Sequence, residues 1–434
     1  MGWSISADEK IVNAVVSIFR DPADKAAERL SGVACGEWER AYPWLIASGM
    51  ALYFLHQLQQ LRLEEFVSAQ MVERLRQNLA DNRKRTKCLM EEFIAINRVF
   101  LEHGVRYCNV KGLTLSPGYC PDPALRNQLD FDFLVDQCDL ELCRRILAEM
   151  GYTLTMATEV VWEFKAGSSG PARIADHYKP GPQRSVELHF CTSVAAPHVL
   201  LHGEWLGRIE ERTWHGYSFP VLSAGDQFLV QALHVFSHLR TPYTRLSWLL
   251  EYNRFVFAHQ DDRELWNRVR QYAEAKRDAY LAIGLASYLS TCLFGGCAPA
   301  QLNSWTLDCL PANVRFWANR YGRRTVLSNL PGTKLYLLLE NELTGAEDDW
   351  RQIRRRRLLP LHRVPRITCP EPNETLRSRV NRGLFQARFA LFRARFHLVE
   401  GVRYLIEARR WKRDLALQTQ GNHLVAVEQR TVSE

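Results

Sequence analysis

The chain has 434 residues, 47% of them hydrophobic and 24% charged, which excludes a disordered polyelectrolyte, a collagen-like repeat and a disulfide-stapled miniprotein. Its net charge of +8 is uneven: residues 351–434 carry 19 basic and 7 acidic side chains, while the rest is slightly acidic. Eleven cysteines lack framework or zinc-site spacing and the first twenty residues lack a leader-type apolar run, so reduced thiols in a cytoplasmic protein are expected.

Residues 1–85 read as helical, with an apolar run at 44–61 and helical rhythm over 64–79. Leu89, Phe93, Ile96 and Phe100 then recur on one helical face, and Gly104 suits the cap beyond it. Residues 105–110 read as a strand ending at Lys111-Gly112. Gly118, Pro121 and Pro123 mark a loop, and residues 128–135 a second strand. A helix over 140–150 precedes candidate strands at 152–155 and 160–164. A Gly/Ser/Pro-rich loop spans 166–182, and another strand 186–190.

From about Asp226, with Ser223 as a plausible start, the pattern is helical to about Leu343. Residues 279–307 carry no charge, but Gly284, Gly295, Gly296 and Pro299 interrupt them. They read as a buried helix and a turn, with no membrane span. Residues 346–373 read as a linker with the basic run Arg354–Arg357. A long helix at about 374–417 carries a stripe of Phe385, Phe389, Phe392 and Phe396. The expected plan is an α+β core, a mixed sheet with helices, in a mainly helical chain. Its segments are a helical region 1–85, the core 86–222, a helical domain 223–345 and a basic linker with a C-terminal amphipathic helix at 346–434.

The chemistry concentrates in the core. In Gln128-Leu129-Asp130-Phe131-Asp132-Phe133-Leu134-Val135 the period-two rule sends Asp130 and Asp132 to one face, and Phe131 and Phe133 to the other. Two like charges side by side are costly unless a cation joins them. Mg²⁺, with Mn²⁺ as a substitute, takes one or two carboxylates together with substrate phosphates. In Ser185-Val186-Glu187-Leu188-His189-Phe190, Glu187 and His189 share a face. Were this strand beside the first, Glu187 would complete a carboxylate triad, and His189 could orient a phosphate or a carboxylate. Lys111, Gly112 and Arg126 are the expected phosphate binders, by charge, close backbone approach and bidentate geometry respectively. His234 and His238 share a helical face without an evident third ligand, which favours packing or a substrate pocket over zinc.

This constellation, from Val110-Lys111-Gly112 through Arg126 and Leu129–Val135 to Glu187-Leu188-His189, resembles the bacterial family of uncharacterised nucleotidyltransferases of the DNA polymerase β superfamily. Leu233-His234, His238 and Arg245-Leu246 with Trp248-Leu249-Leu250-Glu251 resemble that family's His-rich helical segment, where an aspartate is more usual than Glu251. The resemblance spans roughly residues 45–310. The superfamily's loop glycine, usually followed by glycine or serine, here precedes Leu113.

The resemblance implies a small polymerase-β-like palm. It also implies transfer of a nucleoside monophosphate from a nucleoside triphosphate such as ATP to a hydroxyl on a small molecule, a protein or an RNA. Two other readings stand beside it. One is a catalytically inactive nucleotide- or partner-binding protein. The other is an RNA-binding protein using the basic tail, whose charge suits an anionic partner.

Overall fold

The computed structural model describes residues 9–167, 177–181, 184–190, 203–214, 216–274, 278–296, 298–344, 350–359 and 375–431. The chain divides into two compact units, Met1–Ser237 with Arg245–Leu310, and His238–Thr244 with Pro311–Glu434.

The first unit opens with α1 (Glu9–Ser17), α2 (Ala23–Ser31), α3 (Cys35–Ala47) and α4 (Ala51–Leu61). The long α5 (Ala69–Glu102) follows. Ser68 caps it, accepting from the Met71 amide at 3.3 Å. The two helical runs of the sequence are one element here, because no glycine or proline interrupts residues 69–102.

The sheet comprises β1 (Tyr107–Val110), β2 (Asp130–Val135), β3 (Thr153–Ala157), β4 (Val161–Ala166), β5 (Arg184–His189), β6 (Ile209–Trp214) and β7 (Tyr217–Leu222), with α6 (Leu140–Glu149) between β2 and β3. The spatial order is β3-β4-β5-β2-β1-β7-β6. β2 runs antiparallel to β1 and parallel to β5, so the mixed α+β class expected from the sequence is the one observed.

One face of this sheet is the core. Phe131, Phe133, Val186 and Leu188 bury themselves against Leu89, Phe93, Ile96 and Phe100 of α5 and Ile146 and Leu147 of α6. The Phe100 and Phe133 rings lie edge to face with centroids 5.3 Å apart. Full burial of such a side chain stabilises by about 1.5–3 kcal/mol. The alternation that buries Phe131 and Phe133 leaves Asp130 and Asp132 on the opposite face. β6 and β7 were not anticipated. β6 is a polar, largely exposed edge strand lacking the apolar alternation that marks a strand in sequence, and it is held by its hairpin with β7. Most of the expected 166–182 loop lies outside the described residues.

The helices that follow are α7 (Ala224–Leu239), α8 (Leu246–Ala258), α9 (Arg263–Glu274), α10 (Ala279–Phe294) and α11 (Ala300–Asn303). The Ser223 hydroxyl accepts from the Asp226 amide (3.3 Å) at the head of α7. The uncharged run beginning at Ala279 forms α10, which ends at Gly295 with φ +93°. No helix among the described residues is long and apolar enough to cross a membrane.

The second unit holds α12 (Ala312–Trp317), α13 (Arg323–Val326), α14 (Tyr336–Leu343), α15 (Trp350–Leu358) and α16 (Leu376–Thr431). The basic run Arg354–Arg357, expected in a linker, is instead the end of α15; residues 346–349 and 360–373 of that linker lie outside the described residues. α16 is seated through Trp411, which stacks on Phe316 at 5.0 Å and donates from Nε1 to Glu342 (3.0 Å), and through Glu407, which accepts from the Tyr321 hydroxyl (2.9 Å).

Candidate active site

β1 hands over to Lys111, whose φ of +56° and ψ of −155° are costly for a residue with a Cβ. The turn is held from both sides. The Lys111 carbonyl accepts from the Thr114 amide (3.0 Å) and hydroxyl (2.6 Å). Gln227 of α7 then donates to the Thr114 hydroxyl (3.0 Å) and carbonyl (3.1 Å). The Lys111 ammonium comes to 2.9 Å from Asp132 Oδ1. Gly112 has φ +51°, and the Gln128 amide sits where a Cβ would stand.

β5 lies parallel to β2 in a register that sets Ser185 beside Asp130, Glu187 beside Asp132 and His189 beside Leu134. Partners in a parallel ladder point to the same face. His189 Nε2 is 2.8 Å from Asp132 Oδ1 and 3.4 Å from Glu187 Oε2. Asp132, Glu187 and His189 form a group whose potential ligand atoms all lie within 4.8 Å of one another. Asp130 begins the same strand, one pleat repeat before Asp132.

The charges in this cluster are unequal. Burial, and then the neighbouring Asp132 and Glu187, push the Asp130 carboxyl up to about 6. Burial also works against an ionised Asp132, but Lys111 and His189 outweigh it and hold its pKa well below the usual carboxylate range. Burial likewise opposes the Lys111 ammonium, and Asp132 with Glu187 and Asp130 overcomes it, raising the lysine pKa. A third carboxylate strained by two others is a set of hard oxygen donors whose mutual repulsion a divalent cation would relieve, so the residues present fit Mg²⁺ or Mn²⁺. Glu163 of β4 pairs in register with Glu187, but the Lys165 ammonium at 2.9 Å already neutralises it.

Arg126 lies at the edge of this cluster and is anchored from behind. Its Nε donates to Glu251 of α8 (3.1 Å) and its Nη1 to the Gln128 side chain (3.0 Å). Gln128 in turn donates to the Asp130 carbonyl. Glu251 is fully buried and also accepts from Tyr53 (2.9 Å) and Gln231 (3.4 Å). Burial opposes the Arg126 guanidinium, but the charge of Glu251 beside it outweighs this and raises the arginine pKa. From α5, Asn82 donates to the carbonyls of Ala124 (2.7 Å) and Arg126 (3.0 Å), and Arg85 to that of Gln128 (3.0 Å). The loop before β2 is thus tied to α5 and α8 by side chains. Gln128, Gln227, Thr114 and Tyr53 escape sequence reasoning, since isolated polar residues give no periodic signal. His234 meets Trp248 edge-on at 4.6 Å, a packing contact between α7 and α8.

Residues 34–294 match the model of a family described as uncharacterised nucleotidyltransferase. Among solved structures, the chain is similar to an antigenic nucleotidyltransferase-like protein from Paracoccidioides brasiliensis, at 11% identity over 44% of this chain and 88% of that one, with a TM-score of 0.28. No curated protein matches the chain.

Proposed function

The chain belongs to the uncharacterised nucleotidyltransferase family, and from that premise we propose that it moves a nucleoside monophosphate from a nucleoside triphosphate, ATP included, to the hydroxyl of an acceptor. In this reading the acceptor oxygen forms a bond to the α-phosphorus, the bond from that phosphorus to the bridging oxygen breaks, and pyrophosphate leaves. Asp130, Asp132 and Glu187 would hold Mg²⁺, with His189 beside them. When bound, the cation neutralises phosphate charge and favours both the entering and the leaving oxygen.

The protein's own groups do the rest. Glu187 takes up the single proton of the acceptor hydroxyl. Lys111 exchanges its bond to Asp132 for the departing pyrophosphate, with Gly112 leaving room for the phosphates beside the backbone. Arg126, fixed by Glu251 and Gln128, offers its guanidinium to the triphosphate. The polymerase-β-like palm is part of this proposal.

The observation that supports it most is the in-register pairing of Asp132 with Glu187, with Lys111 and His189 meeting on a single Asp132 oxygen. Asp130→Ala tests it. With radiolabelled triphosphates, Mg²⁺ and a cell extract, label transfer should fall at least about 1,000-fold while the circular dichroism spectrum is kept. A folded Asp130→Ala protein transferring label at the parental rate would sink the assignment. Triphosphate binding without turnover in the parental protein, by calorimetry, would favour the inactive-binder reading.

A further inference from the structure

α16 has two apolar faces, and the second unit covers one. At about 100° per residue, Phe396, Glu400, Tyr404, Glu407, Trp411 and Asp414 fall in one sector of roughly 80°. Phe396, Glu400, Tyr404 and Trp411 are buried, Glu407 and Tyr321 are hydrogen-bonded, and Arg320 pairs with Asp414. Leu384, Leu391, Leu398 and Leu405 repeat every seventh residue on the opposite side and are 52%, 71%, 69% and 53% exposed. Beside that stripe runs a row of arginines, Arg377, Arg388, Arg395 and Arg413. Ile406 within the row, and Val399 and Phe385 on its far side, are again exposed. Leucine stripe, arginine row and second stripe together occupy a sector of about 160°.

Charge narrows the choice of what covers this face. Between residues 376 and 415 the helix carries eleven basic and three acidic side chains. All three acids are in the inward sector, so the outward face is purely cationic. A second copy of α16 suits it poorly. With the leucines at one position of a coiled-coil seam, the other position falls either on Arg388, Arg395, Val402 and Arg409, where three of four are arginines that would meet their own counterparts, or on Ala387, Ala394 and Gly401, which bury little. The sector over which exposed apolar side chains are spread is also far wider than the narrow seam that one partner helix fills. A plane of apolar chains under anionic headgroups accepts the whole sector, leucines entering and arginines reaching phosphates.

We propose that the outward face of α16 docks the protein onto an anionic phospholipid surface, lying along it without crossing it. The test is sedimentation of the full-length protein with vesicles of phosphatidylglycerol mixed into phosphatidylcholine, against phosphatidylcholine alone. The parental protein should sediment with the anionic vesicles at least about tenfold more strongly, and less so in high salt. Leu391→Gln/Leu398→Gln should weaken this by at least about tenfold, and Arg388→Gln/Arg395→Gln by roughly 20-fold, with helix content and melting temperature kept. Absence of vesicle binding by the folded parental protein overturns the proposal, as does undiminished binding by the leucine variant. So does analytical ultracentrifugation showing a dimer that the leucine variant dissolves while vesicles are ignored, for then a second copy covers the stripe.

Discussion

His177 illustrates how single side chains set the loop before β2. The Asn127 side-chain amide lies against its Nε2, 2.5 Å away. Burial, with Arg245 and Arg85 nearby, pushes the His177 pKa from 6.5 down to about 4. An unfolded chain therefore binds a proton between those values that the folded one refuses. The stability this contributes is fully present above pH 6.5 and declines as pH falls towards 4. Melting temperature measured across this window should drop with acidity, and His177→Gln should flatten the slope. An unchanged slope would place the acid sensitivity elsewhere. At this scale the sequence disclosed much of the candidate cluster: alternation told which way Asp130, Asp132, Glu187 and His189 point relative to their neighbours. It could not tell that Arg126 is held by Glu251, 125 residues away, because such a bond leaves no local pattern.

Among the elements, the β1–β2 connection carries a tight constraint. Gly112 has a positive φ and no room for a methyl group against Gln128, whereas Gly104, at φ +67°, has open space around it. Gly112→Ala should thus destabilise by about 2–3 kcal/mol, and Gly104→Ala by about 1 kcal/mol. Urea unfolding of both would read the difference, and equal losses would mean that Gln128 yields easily. Other elements show where sequence patterns fail at this level. β1, β2, β5 and α5 declare themselves through apolar rhythm, but β6 is polar and exists only because β7 offers it a ladder. α15 is likewise a run of charges that reads as a linker.

For the molecule as a whole, every residue assigned to the candidate site belongs to the unit of Met1–Ser237 and Arg245–Leu310. A chain ended after Leu310 keeps all of them. It strands the segment His238–Thr244, where the Pro242 carbonyl accepts from the Thr333 amide at 2.8 Å and packs tightly on Gly332. Such a chain should still bind a nucleoside triphosphate by calorimetry while melting at least about 2–4 °C lower. Loss of binding in a chain that still folds would give the C-terminal unit a part in the chemistry. The two-faced character of β2 carries a further consequence. The phenylalanines that organise the hydrophobic interior and the aspartates that face away from it are interleaved on one six-residue strand. Inserting or deleting one residue within it would turn aromatic rings out of the hydrophobic interior and drive acids into it, so a change of strand length there forfeits folding and chemistry at once, whereas an isosteric exchange such as Asp130→Asn can silence the chemistry and leave the architecture standing.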